Sequence, residues 1–131
     1  MKVRARELEE SEVASKLSPY LKQRFVTPGK EYEVHAIAVF DAIVFIQTVD
    51  DVGNPAWTPS VKFDVSDFAI PGDWICNILT GQPADDVVML LGPEFVAKSQ
   101  ASYAAMVELE ADKVDQFWKR LDAIKKSDAS R

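Results

Sequence analysis

Apolar and polar positions alternate at the start of the chain, where Val3 stands between Lys2 and Arg4, and "MKVRA" reads as a short strand. The alternation returns in "EYEVHAIAVF", Glu31 to Phe40, with Tyr32 and Val34 set between Glu31 and Glu33. That is the period of a strand with one face in water. "AIVFIQTV", Ala42 to Val49, is β-branched and aromatic and reads as a central strand. Only Asp41 lies between these two runs, so a tight hairpin is expected. "SVKFDVSD" alternates again, with Val61, Phe63 and Val65 on one side and Lys62, Asp64 and Ser66 on the other. "DWICNIL", Asp73 to Leu79, reads as a further strand of core character, and "DDVVMLL" suits either a last strand or a helix start.

Helical spacing marks both ends of the chain. Within "ELEESEVASKL" a short helix is expected from Ser11, whose hydroxyl can cap it. Ser18 followed by Pro19 opens a second one over "SPYLKQRF", with Tyr20, Leu21 and Phe25 inward. From Pro93 onward "PEFVAKSQASYAAMVEL" holds one or two short helices. "ADKVDQFWKRLDAIKK" is amphipathic, with Val114, Phe117, Trp118, Leu121 and Ile124 on one face. Lys125 and Lys126 sit in its last turn, as the helix dipole favours, and "SDASR" is expected to fray. "TPGK", Thr27 to Lys30, reads as a type II turn with Gly29 at positive φ.

These elements predict an α+β fold: a small antiparallel SH3-like barrel or bent sheet of five to six strands, with short N-terminal helices and C-terminal helices packed on one side. One domain spans 1–131, divided into an N-terminal strand with short helices (1–30), the sheet (31–91), C-terminal helices (92–127) and a tail (128–131).

Charge sharpens this picture. Residues 1–30 carry seven Lys/Arg against four Glu, residues 31–98 two Lys against eleven acids, and residues 99–131 six of each. The net values of +3, −9 and 0 sum to the −6 of the chain, so the acidity lies in the middle. Such a field repels nucleic acid and anionic membrane and favours basic partners, though acids also simply keep a small barrel soluble. Aromatic side chains at Tyr32, Phe40, Trp57 and Trp74 would suit base stacking, but two lysines in that region leave the phosphates uncompensated. The N-terminal "MKVRARELEE" has no apolar signal core, and no apolar run is long enough to span a bilayer. A cytoplasmic protein is the expectation.

Catalytic chemistry finds little footing. His35 and Cys76 are the only residues of their kinds. As a nucleophilic pair they would need mutual contact and a third, orienting group. Their plainer reading is a core thiol in "WICNIL" and a histidine on the wet face of its strand. One His and one Cys cannot make a structural zinc set, and the acid pairs Asp50-Asp51 and Asp85-Asp86 lack calcium-loop spacing. The glycines are too scattered for a phosphate loop. No cofactor and no enzymatic activity are expected.

"MKVR", "RFVTPGKEYEV" (Arg24–Val34), "DDVGNPAWTPSVKFDVSD" (Asp50–Asp67), Trp74 and "LLGPEFV…YAAMVELEADKVDQFWKR" occur in that order. Together they resemble a family of small bacterial immunity proteins that accompany polymorphic or contact-dependent toxin systems. The likeness covers most of the chain and rests on structural motifs. It departs from the family pattern at Glu110-Ala111, where the family has Asp-Pro. The resemblance implies a protein that binds and neutralises a cognate toxin domain, a basic nuclease being one that an acidic face would suit. The alternative is a general protein-interaction module or homodimerising barrel without toxin protection; monomer and homodimer both remain open.

"DDVGNPAWTPS", Asp50 to Ser60, concentrates the candidates. Its Gly, Asn and prolines make a turn, and Pro55 and Pro59 belong at a sheet edge or in a loop. Trp57 is either a core ring or an interface anchor. The toxin-binding candidates are Asp50, Asp51, Trp57, Asp64 and Asp67.

Overall fold

The computed structural model describes residues 1–8, 26–80 and 86–129. The two expected N-terminal helices, with Tyr20, Leu21 and Phe25, lie outside the described residues. The fold is α+β. Among the described residues eight strands form two antiparallel sheets, and these sheets do not close into a barrel. The smaller sheet has the order β2-β1-β6, from β1 (Lys2–Ala5), β2 (Glu31–Glu33) and β6 (Phe63–Asp67). The larger has the order β5-β4-β3-β8-β7, from β3 (Ala36–Phe40), β4 (Ile43–Val49), β5 (Pro55–Pro59), β7 (Trp74–Ile78) and β8 (Val87–Pro93). Helices α1 (Glu94–Ala97), α2 (Gln100–Val107) and α3 (Ala111–Ala129) follow.

The run from Glu31 to Phe40 is thus two strands, not one. Val34 N–H donates to the Met1 carbonyl at 2.9 Å, and His35 N–H donates to the Gln47 carbonyl at 2.9 Å. Adjacent residues therefore bond to different sheets, and the chain turns a corner between them. A second corner is the 3-10 turn Ser60–Lys62, between β5 and β6. That turn breaks the period of two at "SVK" and buries Lys62, which alternation had placed in solvent.

Burial places the larger sheet in the middle. On one face Val3, Tyr32, Val34 and Phe63 of the smaller sheet close over Ile46, with Ile37 and Trp74 at the margin. On the other, Ala36, Val96, Met106 and Phe117 join sheet to helices, with Val49 and Trp118 against them. Ala38, Val87, Leu90 and Ala97 continue that second core. Register explains the division: Ala36 and Ala38 pair with Gln47 and Phe45, while Ile37 pairs with Ile46. Small residues on the helix side let α1 approach the sheet closely, and Ala97 is fully buried there.

Two side chains anchor the helical layer. Asn77 of β7 donates from Nδ2 to the carbonyls of Ala97 (3.0 Å) and Lys98 (2.9 Å), meeting orphan acceptors at the end of α1. Arg120 of α3 grips Asp73 with Nε–Oδ2 at 2.6 Å and Nη2–Oδ1 at 2.8 Å. Arg120 holds the Asp73 carboxyl below the ordinary carboxylate range. Ser99 caps α2 by accepting from Ser102 N–H at 3.1 Å. Helix α3 runs to Ala129, so residues 127–129 continue the helix in place of the frayed tail expected after Lys126.

The β3–β4 hairpin turns on two residues, Asp41 and Ala42, because Phe40 pairs with Ile43. Their φ values are 51° and 59°, both positive, as a two-residue type I′ turn requires. Ala42 meets this demand without being glycine. Ala42→Gly is expected to stabilise the protein by about 0.5–1 kcal/mol, the relief of left-handed strain less the added unfolded-state entropy. Urea unfolding at neutral pH measures it, as a raised midpoint at unchanged slope.

Candidate functional site

Asp50 and Asp51 do different work. Asp50 is buried, against the expectation of a solvent contact. Its Oδ1 accepts from Val52 N–H (3.0 Å) and Asn54 N–H (2.9 Å), and its own N–H donates to the Asn54 carbonyl (2.9 Å). It shapes the turn, with Gly53 at φ 94°. Asp51 reaches the other way, to the Thr27–Lys30 turn. It accepts from Thr27 Oγ1 at 2.6 Å, Tyr32 Oη at 2.7 Å and Lys30 Nζ at 2.9 Å. Those bonds, the Thr27 hydroxyl first, hold its carboxyl down at about 2. Lys30 also stands 5.1 Å from the centre of the Tyr32 ring. The paired acids therefore pin a turn of one sheet to a turn of the other.

Asp64 and Asp67 lie on β6, an edge of the smaller sheet, and are exposed. Asp64 pairs in register with Arg4, and Asp67 with Lys2. On the other side of β1, Lys2 and Arg4 face Glu33 and Glu31. Glu31 meets Arg4 at 3.6 Å and Lys2 at 3.9 Å. The basic N-terminus and the acidic middle, distant in sequence, are interleaved on one face. Exposed pairs of this kind contribute little stability individually.

Trp57 sits on β5, the proline-flanked edge of the larger sheet, where Pro55 and Pro59 were expected. It is half-buried, with its ring edge-on to Tyr103 of α2 at 5.3 Å between centroids. Its Nε1 is buried without a hydrogen-bond partner among the described residues, and so are both polar atoms of Gln47, which pairs with it in register. Trp57 walls a cleft of about 420 Å³ with Phe40, Phe45, Val87, Tyr103, Ala104 and Val107. Asp86, Gln100 and Glu108 supply its polar lining. Gln100 Nε2 donates to both oxygens of Asp86 at 2.9 Å, which fixes one wall.

The five sequence candidates are thus not one site. Two close turns, two share the mixed-charge sheet, and Trp57 alone enters a concavity. Tyr103, Asp86, Gln100 and Glu108 were missed as its companions. They come from a loop and a helix that only tertiary packing brings to β5, and nothing in their spacing announces it.

His35 and Cys76 do not assemble. Cys76 is exposed on the edge strand β7, on the sheet face shared with Leu91 and Ile37. The core-thiol reading is corrected by position: among the described residues β7 has a strand on one side only. His35 is buried rather than on the wet face. Its ring packs edge-on to Phe117 of α3, with centroids 5.0 Å apart, on the helix side. Strand β8 lies between β3 and β7. Among the described residues no three His, Cys, Asp or Glu groups gather in a way that would hold a metal ion. No described helix is long and apolar enough to cross a membrane.

Compared with known proteins, the chain matches no family model, no curated protein and no solved structure.

Burial, reinforced by the Arg120 charge, lowers the His35 pKa to about 4 from an ordinary 6.5. The folded state keeps the ring neutral while the unfolded state protonates it. The stabilisation is therefore complete above about pH 6.5 and is lost as pH falls from there toward 4. The imidazole NMR signals of this single histidine should stay at their neutral positions down to about pH 5. A midpoint near 6.5 in the folded protein would overturn the assignment.

Proposed function

We propose that this chain is a non-catalytic binding protein of the immunity type, which neutralises a toxin domain by covering its working surface. The carrying observation is the Trp57 cleft, an aromatic-walled concavity with Asp86 and Glu108 in its lining. Aromatic faces attract cations, and carboxylates at the mouth reinforce that attraction. The cleft suits a lysine or arginine side chain, apolar along its stem and charged at its tip. A basic toxin domain, such as a nuclease with a cationic active-site cleft, offers such side chains, and the net charge of −6 steers it inward. The resemblance drawn from the sequence supports the same reading. The two sheets, joined at two corners, support an opened SH3-like barrel as the scaffold. The proposed compartment is the cytoplasm, where the toxin would act.

A general interaction module without toxin protection is the second reading. Phe68, Ile70 and Ile78, all strongly exposed, favour it.

The deciding experiment is co-expression of the toxin domain encoded next to this chain, with survival counted in a sensitive bacterium. Protection is expected, and Trp57→Ala and Glu108→Lys should each weaken binding of the purified domain at least about tenfold. No protection from a folded, expressed protein overturns the immunity reading. Full affinity in both variants overturns the cleft as its site.

A further inference from the structure

The four sheet edges differ in how they are protected. β5 carries Pro55 and Pro59, which cannot donate to a further strand. β2 is three residues long, with Glu31 and Glu33 exposed. β6 carries Asp64 and Asp67. Charges, prolines and brevity are the usual guards against edge pairing. β7, "WICNI", has none of them: five residues, no charge, no proline. Among the described residues nothing pairs with its outer side.

The direction of its backbone follows from the β7–β8 ladder. Leu79 N–H donates to the Val88 carbonyl at 2.9 Å. By antiparallel alternation Asn77 and Ile75 also face β8, while Cys76 and Ile78 turn their N–H and C=O groups outward. Trp74 N–H is taken by the Pro71 carbonyl at 3.2 Å, which leaves its carbonyl outward.

We propose that β7 pairs with β7 of a second copy, antiparallel about a two-fold axis at Cys76, joining the two five-stranded sheets into one. In this register Cys76 exchanges both backbone bonds with its counterpart, and Ile78 N–H reaches the Trp74 carbonyl of the second copy. Ile78, 67 % exposed, then stands opposite a tryptophan on the same face, an aromatic–β-branched cross-strand pair.

The second copy is favoured over a foreign strand on two grounds. The segment is uncharged, so it meets itself without the repulsion that a chain of net charge −6 imposes elsewhere. The exposed apolar surface also suits the dyad. The 68–73 loop enters β7 at Trp74, the end where Ile78 of the second copy arrives. Phe68, Ile70 and Ile78 are 77, 62 and 67 % exposed, while Ile75 lies on the opposite, helix-side face of β7. The first three present on the order of 400 Å² per copy, in the range of the largest apolar patch a monomer leaves exposed. Two copies bring on the order of 800 Å², which the paired backbone and Cys76 extend toward the lower bound of a stable interface. The dimer leaves the Trp57 cleft, at the opposite edge of the sheet, open, so this inference does not rest on what that cleft binds.

The test is the solution mass of the full chain by light scattering across a dilution series, with bismaleimidoethane cross-linking of its sole cysteine, Cys76. The wild type is expected as a dimer that cross-links to a covalent dimer. Cys76→Pro removes the outward N–H along with the thiol, at an edge position where proline is tolerated, and Ile78→Lys places a charge on the seam. Both should be monomeric with an unchanged circular dichroism spectrum. A wild type that stays monomeric at its highest soluble concentration overturns the proposal. So does a dimer that resists cross-linking and persists in Ile78→Lys.

Discussion

The architecture depends on two consecutive amides. In an extended chain successive N–H groups point to opposite sides, so Val34 and His35 necessarily address different neighbours. Val34 bonds to Met1 and His35 to Gln47, which binds β1 on one side and β4 on the other. One passage of chain thereby belongs to both sheets, and the angle between them is set there. Val34 is buried at the corner on the inter-sheet side, while His35 turns its ring to Phe117. Each core layer begins at this dipeptide.

Asp51 reinforces the same junction from outside. Its bonds to Thr27, Lys30 and Tyr32 tie the turn that precedes β2 to the turn that follows β4. The hydroxyl of Tyr32 is the common element: it donates to Asp51 and accepts from Thr27 N–H at 2.8 Å, while its ring lies in the inter-sheet core. Holding this turn holds the start of β5, and with it the backbone that presents Trp57 to α2. The odd composition of Asp50–Ser60 is thus explained twice, as a clamp at its acidic end and as a cleft wall at its tryptophan.

Much of this was legible in the sequence, and the failures share a cause. Strands with one wet face, such as Glu31–Val34, announced their buried side through alternation. Pro55 and Pro59 announced an edge, and the 3–4 spacing of Phe117, Trp118 and Leu121 announced α3. What alternation cannot state is which strand lies beside which. "WICNIL" is apolar but for Asn77, a run that reads as core, yet β7 is an edge and exposes Cys76. The charge halves look segregated along the chain, yet pairing of β1 between β2 and β6 interleaves them. Lys62 fell on the wrong side because one 3-10 turn resets the period. The cleft itself was half legible: Trp57 stood out, but Tyr103 lies in, and Glu108 just past, a helix whose docking the local pattern does not encode.

The grip of Arg120 on Asp73 joins residues 47 positions apart. The helix that supplies the guanidinium follows every strand of both sheets in chain order. Until α3 emerges, Ala36, Val96 and Met106 lack the cover of Phe117, and the start of β7 lacks its tether. The nascent chain therefore passes through a stage in which one face of its central sheet is open and apolar.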